Sequence, residues 1–195
     1  MAYRSTAPRD LLYGPTVAQR QPKAAMLSLA LLRHAKSSWD NSDLDDFDRP
    51  LNERGRSAAP VMGAVLKELG FAPDLILCSS PKRTRETLAL IAPFIRNAEV
   101  AFDDQLYLTG QETLFGRLKS LPPGARKVLL IGHNPGMHGL ALMLAATGDA
   151  KSLSRLEDKF PTAALAIFSF EQVAWRDLLP ASGHLEAFVT PRDRG

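Results

Sequence analysis

Apolar, strand-like segments alternate with helix-like segments from residue 27 to residue 190, and this alternation restricts the fold more than any other feature. Three of the apolar strand-like segments are 27–32, 75–78 and 127–131. They have the length of buried strands, and no apolar run approaches the roughly 20 residues needed to span a bilayer. The sequence therefore predicts an α/β layered domain.

The other elements follow from local signals. Asn52 is a suitable cap for a first helix, predicted over 52–69, because its side chain can accept a hydrogen bond from the first turn. Further helices are predicted over 84–95, over 112–121, from 136 through 145, and over 152–157; the remaining strands are predicted over 98–102, 163–168, 174–178 and 184–189. No repeat or linker divides this region, so we expect a single domain over 26–195.

The positive charge of the chain lies at its N-terminus. The formal net charge is +3 at pH 7, and residues 1–25 account for all of it, so that residues 26–195 are neutral overall. A neutral domain does not fit a nucleic-acid-binding face. Residues 1–25 combine this charge with several prolines and no sustained periodicity, which predicts a flexible basic extension. A transit peptide is the alternative, and Met26 could be the true start of translation.

The chain has one cysteine, Cys78, and therefore forms no internal disulfide. This usage is typical of a reducing compartment, so we expect a cytoplasmic protein without a membrane partner. Cys78 stands within the second apolar segment, and we interpret it as a small buried apolar residue.

Basic and histidine side chains follow each of the three apolar segments. Arg33 and His34 follow the first, Arg83 comes shortly after the second, and His133 follows the third. Ligands of open α/β sheets bind outside the carboxyl ends of the strands, so these loops can converge on one crevice. A single histidine or arginine is more often structural, but all four at strand ends favour an anion site, most simply for a phosphoryl group.

Several blocks resemble the histidine phosphatase superfamily, the phosphoglycerate-mutase-like proteins. Residues 31–37, Leu-Leu-Arg-His-Ala-Lys-Ser, and residues 132–136, Gly-His-Asn-Pro-Gly, are similar to its two histidine blocks. Residues 79–87, Ser-Ser-Pro-Lys-Arg-Thr-Arg-Glu-Thr, resemble the block that supplies a phosphate-binding arginine. Residues 48–55, Asp-Arg-Pro-Leu-Asn-Glu-Arg-Gly, and 159–164, Lys-Phe-Pro-Thr-Ala-Ala, are similar to the SixA-like branch of phosphohistidine phosphatases.

The resemblance implies roles for four residues. His34 would be the nucleophile, and Arg33, Arg83 and a protonated His133 would surround the phosphoryl oxygens. The spacing within residues 79–87 selects Arg83 over Arg85, which is predicted to lie outside the site. No metal or cofactor is implied, because these groups supply the positive charge.

The resemblance covers about residues 27–191 and implies a fold, further contacts and a class of partner. The fold is a three-layer α/β sandwich in which helices flank a mostly parallel central sheet. Lys36, Ser37 and Asn134 are candidates for substrate binding because they lie beside the two histidines. The partner would be a phosphorylated protein or a small phosphorylated molecule, and inorganic phosphate would be the product.

Departures from the family pattern bear on the substrate. Ala35 replaces the usual glycine, so the backbone there needs no positive φ. Tyr107 lies near the position of the acidic proton donor of larger members, and only Glu112, Asp103 or Asp104 could replace that donor by folding into the pocket. Imidazole leaves more easily than an alkoxide, so weak acid machinery favours phosphohistidine in proteins as the substrate.

Other functions stay open at this stage. A small-molecule phosphomonoesterase, a mutase of the same superfamily and a non-catalytic phosphate-binding adaptor are the alternatives. His138 falls within a helix pattern and is predicted to be structural or exposed, and His184 begins the last strand and is predicted to cap it. The aspartates at 43, 45, 46 and 48 lack the glycine and glutamate of a calcium loop and are predicted to form a solvated acidic loop.

Overall fold

A computed structural model describes residues 26–95, 98–172 and 174–194, so the predicted extension 1–25 lies outside the described residues. The strands are β1 (Leu27–Arg33), β2 (Leu75–Ser79), β3 (Glu99–Asp103), β4 (Lys127–Gly132), β5 (Ala145–Gly148), β6 (Leu165–Phe170) and β7 (Gly183–Val189). The helices are α1 (Glu53–Glu68), α2 (Lys82–Ile91), α3 (Gln111–Lys119), α4 (Gly136–Leu144) and α5 (Ala150–Asp158). None of the helices in the described part of the chain is long and apolar enough to cross a membrane.

The strands form one sheet in the order β3-β2-β4-β1-β6-β7-β5. The pairs β3–β2, β2–β4, β4–β1 and β7–β5 are parallel, whereas β6 is antiparallel to both β1 and β7. The prediction of an α/β fold with a mostly parallel sheet is confirmed.

Two hydrophobic cores, one on each face of the sheet, make the fold three-layered. Leu29 and Leu31 of β1 enter the core that α3, α4 and α5 cover, while Ala30 and Leu32 enter the core beneath α1 and α2. Successive side chains of a strand point to opposite faces, so a strand buried on both faces needs an unbroken apolar run. This requirement explains why β1, β2, β4 and β6, which contribute to both cores, are strongly apolar segments.

Two predicted elements are wrong. Residues 174–178 form a 3-10 turn around Trp175–Asp177 instead of a strand. The two buried side chains there, Trp175 and Leu178, are three positions apart, which fits a turn, and the Trp175 indole N–H donates to the carbonyl of Ala125 at 2.5 Å. The predicted helix through residue 145 ends at Leu144, because the following residues pair with β7 as the short edge strand β5.

The start of α1 is fixed against the loop that follows β1. The Asn52 side chain accepts a hydrogen bond from the Gly55 amide at 2.9 Å, which confirms the predicted cap. The Asn52 amide donates to the Lys36 carbonyl at 2.9 Å. Gly55 packs so closely on Lys36 that a Cβ atom would overlap this carbonyl oxygen. A glycine is therefore required where α1 meets this loop.

Gly55→Ala should lower the free energy of unfolding by about 1–3 kcal/mol, because a buried backbone atom must move to admit the methyl group. Gly116→Ala is the matched control, since Gly116 is exposed in α3 with nothing within 4 Å of its Cβ position. The control should stabilise the protein by about 0.5–1 kcal/mol. Urea unfolding followed by circular dichroism measures both, and equal effects of the two variants would contradict the close packing.

Candidate active site

A pocket of about 260 Å³ lies where β1, β2 and β4 end at the same edge of the sheet. All of the predicted site residues line it: Arg33, His34, Lys36, Ser37, Arg83, His133 and Asn134. Its remaining lining residues are Trp39, Asp46, Arg49, Leu108 and Thr162. The fold thus brings together predicted site residues that are up to 101 positions apart in the sequence. Their functional roles stay predictions.

The pairing of β1 with β4 places the two histidines side by side. Arg33, the last residue of β1, is in register with Gly132 of β4, and the His34 amide donates to the Gly132 carbonyl at 3.0 Å. His34 and His133 follow these two positions directly. Their ring centroids are consequently 5.1 Å apart.

A backbone hydrogen bond determines which nitrogen of His34 can react. Nδ1 lies 2.7 Å from the carbonyl oxygen of Ala35, and a carbonyl can only accept, so Nδ1 carries the hydrogen. In the neutral ring, Nε2 then holds the free electron pair. Ala35 is not among the described residues with positive φ, as its identity predicts. Nε2 is therefore the nitrogen of His34 that is chemically able to act as a nucleophile.

Both histidines are neutral at pH 7 in the free protein. Burial, opposed by the Ala35 hydrogen bond but assisted by the charges of Arg83 and Arg33, lowers the pKa of His34 to about 3. Burial, followed by the effects of His34 and Arg83, lowers the pKa of His133 to about 3. The expectation of a protonated His133 is therefore wrong for the free protein, because burial destabilises the charged ring and the nearby positive charges add to this effect.

Arginine groups approach the pocket from two sides. Arg83 is only 2% exposed and donates through Nη1 and Nη2 to the backbone carbonyl (2.5 Å) and the carboxylate (2.9 Å) of Asp46. Arg33 donates through Nη1 to the Phe160 carbonyl at 2.9 Å, and burial lowers its pKa. Arg85 lies outside the pocket, as predicted. It donates a hydrogen bond to the Ser80 carbonyl at 2.6 Å.

Several buried polar atoms at the pocket have no hydrogen-bond partner among the described residues: Nε of Arg33, Nε of Arg83, Nη1 of Arg49, Nδ1 of His133 and Oδ1 of Asn134. Buried donors normally have partners, and an unpaired one costs roughly 1–3 kcal/mol. A bound oxyanion would provide acceptors for the guanidinium groups. This set of unpaired arginine donors supports an anion site.

Sequence reasoning missed Arg49 and Asp46. Arg49 is buried, its Nε lies 2.9 Å from Asp46 Oδ1, and its guanidinium carbon lies 3.3 Å from the centre of the Trp39 ring. The signal for Arg49 was the block at 48–55, which carried a family resemblance but no assigned role. The prediction of a solvated acidic loop is wrong for Asp46, because the Asp46 carboxylate lines the pocket and forms ion pairs with Arg83 and Arg49.

None of the candidate acids among the described residues is placed and protonated so that it could readily donate a proton in the pocket. The Tyr107 hydroxyl donates to Asp46 Oδ2 at 2.6 Å, and burial together with this carboxylate raises the pKa of Tyr107. Burial alone would raise the pKa of Asp46, but the Tyr107 hydrogen bond and the two arginines outweigh it and lower this pKa. Asp46 is thus ionised and Tyr107 is a weak acid. The other candidate acids, Asp103, Asp104 and Glu112, do not line the pocket.

The three predicted substrate-binding residues differ in their surroundings. Asn134 donates through Nδ2 to the Phe160 carbonyl at 2.9 Å, the same oxygen that Arg33 contacts. Ser37 is buried in a backbone bridge with Leu51, and Lys36 is exposed at the pocket rim. Asn134 is therefore held in place, whereas Lys36 is free to move toward a ligand.

The remaining reactive side chains lie elsewhere. His138 donates through Nε2 to the Leu156 carbonyl at 2.7 Å, and His184 lies on the exposed part of β7 beside Thr147, so neither belongs to the pocket. Cys78 is buried, and burial raises the pKa of its thiol to about 12. An uncharged buried thiol is not a nucleophile.

Comparison with known proteins identifies the family. Residues 29–127 match the family model of the histidine phosphatase superfamily (branch 1). An uncharacterised protein of Mycobacterium tuberculosis is 33% identical over 165 residues, which are 83% of this chain and 100% of that protein. A chloroplastic protein of Arabidopsis thaliana is 34% identical over 178 residues, covering 84% of this chain and 77% of that protein. The chain belongs to the histidine phosphatase superfamily.

Solved structures show which branch of the superfamily this chain resembles. A candidate phosphohistidine phosphatase SixA from Nakamurella multipartitia has a TM-score of 0.73 and 30% identity over 86% of this chain and 98% of that one. A SixA candidate from Agrobacterium tumefaciens has a TM-score of 0.70 and 29% identity over 85% of this chain and 98% of that one. A phosphoglycerate mutase from Plasmodium falciparum, at 17% identity and a TM-score of 0.55, shares the fold. The resemblance to the SixA-like branch is confirmed.

The ring nitrogens of His34 and His133 should show the ¹⁵N shifts of neutral imidazole from pH 8 down to about 5. A group with a pKa of about 3 becomes protonated only as the pH falls toward that value and is about 1% protonated at pH 5. Inorganic phosphate should raise both pKa values, because an anion stabilises imidazolium. Titration of either ring near pH 6.5 in the free protein would contradict the neutral pair.

Asp46→Asn should tighten the binding of inorganic phosphate by about tenfold at pH 7, because the carboxylate competes with an anion for Arg83 and Arg49. Asp45→Asn is the control, since Asp45 is exposed and makes no ion pair among the described residues. Isothermal titration calorimetry measures both. Weaker binding in Asp46→Asn would mean that Asp46 holds the arginines in position more than it competes with the ligand.

Proposed function

We propose that this protein is a phosphatase that works without a metal, forms a covalent phosphohistidine on His34, and acts on phosphohistidine in proteins. The observation that carries the proposal is the position of His34 Nε2. It is unprotonated and lies in one pocket with three arginines and a second histidine. Membership of a phosphatase superfamily agrees with hydrolysis, and the kind of substrate is argued from the site.

In the first step, His34 Nε2 attacks phosphorus in line with the leaving group. A bond forms between this nitrogen and phosphorus while the bond to the leaving nitrogen breaks, and the leaving group takes the electron pair. Arg33, Arg83 and Arg49 neutralise the equatorial oxygens, which is the main contribution of a protein to phosphoryl transfer. Asp46 must release Arg83 as the phosphoryl group enters.

In the second step, water attacks phospho-His34. Its oxygen bonds to phosphorus, the P–N bond breaks, and His34 regains its neutral ring as inorganic phosphate leaves. His133, neutral and 5.1 Å from the His34 ring, can hydrogen-bond a phosphoryl oxygen or the water. The neutral ring of His133 carries one N–H, which it can donate to an oxygen of the phosphoryl group.

The missing proton donor favours a phosphoramidate. An alkoxide needs a proton from a general acid as it departs. Asp46 is ionised and Tyr107 has a raised pKa, so neither supplies one readily. The imidazole of a phosphohistidine that is protonated on its other ring nitrogen leaves as a neutral molecule and needs no such acid. The pocket therefore matches the chemistry of phosphohistidine better than that of a sugar phosphate.

A phosphohistidine protein or peptide should leave labelled phosphate on His34 during brief incubation. The linkage is acid-labile and base-stable, and mass spectrometry at neutral or basic pH locates it. His34→Ala should abolish both label and turnover, while Arg83→Ala or His133→Ala should slow transfer about 100-fold or more. His138→Gln, outside the pocket, should change neither. Label that persists in His34→Ala would overturn the mechanism.

A substrate panel separates the proposal from its alternatives. In the presence of EDTA, kcat/KM should be highest for a phosphohistidine peptide, lower for a nitrophenyl ester and lowest for an alkyl phosphate, with about 100-fold or more between the extremes. Similar values for the alkyl phosphate would favour a phosphomonoesterase. Transfer between hydroxyl groups would favour a mutase, and hydrolysis of none of them would favour an adaptor.

A further inference from the structure

A second and larger cleft, of about 700 Å³, opens beside the catalytic pocket and shares Lys36 and Thr162 with it. We call it the basic cleft and define it by Lys36, Arg54, Arg155, Lys159, Phe188 and Arg192. It lies between the start of α1, the end of α5 and the turn that follows β7. A substrate whose phosphoryl group sits at His34 can therefore extend into it.

The basic cleft carries a concentrated positive charge. Its five basic side chains face two aspartates, and each aspartate is paired: Arg155 with Asp193 at 2.6 Å and Lys159 with Asp158 at 2.8 Å. Lys36, Arg54 and Arg192 have no ion pair with any carboxylate among the described residues. Residues 26–195 are neutral as a whole, so three unpaired cations in one cleft mark a local field that attracts anions.

The arrangement of these cations suits separate carboxylates. Lys36 follows β1, Arg54 lies in the first turn of α1, and Arg192 lies in the last turn of the chain, so each comes from a different segment. Lys36 and Arg54 are also exposed. The catalytic pocket instead gathers buried arginines around a single point, which is the arrangement that phosphate prefers. Ala58, Pro161 and Phe188 add apolar wall against which a chain can pack.

We propose that the basic cleft binds acidic side chains that flank the phosphorylated residue of a protein substrate. The inference rests on the proposed function, since it assumes that the phosphoryl group is transferred to His34. It adds a determinant of specificity: single negative charges beside the phosphohistidine select the substrate. The catalytic pocket itself reads only the phosphoryl group and its leaving nitrogen.

Two phosphohistidine peptides that differ only in flanking Glu or Gln test this assignment. At low salt the wild-type protein should show about tenfold higher kcat/KM for the Glu peptide, as expected for two or three exposed ion pairs. The preference should shrink as the ionic strength rises, because salt screens exposed charges. In Arg54→Glu/Arg192→Glu the preference should vanish or reverse, while kcat/KM for the Gln peptide stays within about twofold.

Arg176→Glu is the control for a change of surface charge. The Arg176 side chain is 77% exposed. The preceding residue, Trp175, donates a hydrogen bond to the Ala125 carbonyl near the start of β4, so Arg176 lies at the opposite end of the strands from the pocket. This variant should keep the preference for the Glu peptide. Unchanged melting temperatures in all variants show that the effects are not losses of folding.

Competition experiments distinguish a peptide from a small polyanion. An unphosphorylated Glu peptide should inhibit hydrolysis of phosphoimidazole by the wild-type protein and should not inhibit the double variant. Equal kcat/KM for both peptides in wild type, or a preference that survives in the double variant, overturns the proposal. The proposal is also overturned if inorganic pyrophosphate inhibits the wild-type protein through Arg54 and Arg192 while the Glu peptide does not inhibit it. Failure to hydrolyse the Gln peptide at all would instead defeat the proposed function.

Discussion

The parallel pairing of β1 with β4 is the constraint on which the site depends. It sets Arg33 opposite Gly132, so the chain leaves both strands at the same level and delivers His34 and His133 to neighbouring positions. Both strands are buried on both faces, and their apolar side chains fix the register because a slip of one residue would exchange the two faces. The spacing of the two rings is thus a consequence of core packing.

This placement gathers positive charge in a buried position, which costs free energy. Arg83, Arg49 and Arg33 line the pocket together with the two buried histidines, and burial and the nearby positive charges keep both rings neutral. Asp46 offsets some of the charge and occupies Arg83 in the free protein. The same electrostatics makes the pocket receptive to an anion and keeps the electron pair of His34 available for attack.

The pocket also limits which leaving groups can depart from the phosphorus of a substrate. Tyr107 and Asp46 hold each other through one hydrogen bond, which keeps the phenol protonated and the carboxylate ionised. A substrate with a good leaving group needs no help from either. In our proposal, the adjoining basic cleft supplies the selectivity that a small pocket for a phosphoryl group does not provide.

The sequence by itself determined the strands, because doubly buried strands require apolar runs, and it determined the candidate residues, because reactive groups followed those runs in order. The short edge strand β5 and the turn at Trp175–Asp177 could not be predicted, since tertiary pairing and one buried indole decide them. Asp46 was likewise predicted to belong to a solvated acidic loop, and Arg49 had no assigned role. Only the tertiary structure places that loop over the pocket. There the charge of Arg83 attracts the carboxylate of Asp46, which no local sequence pattern distinguishes from the neighbouring aspartates.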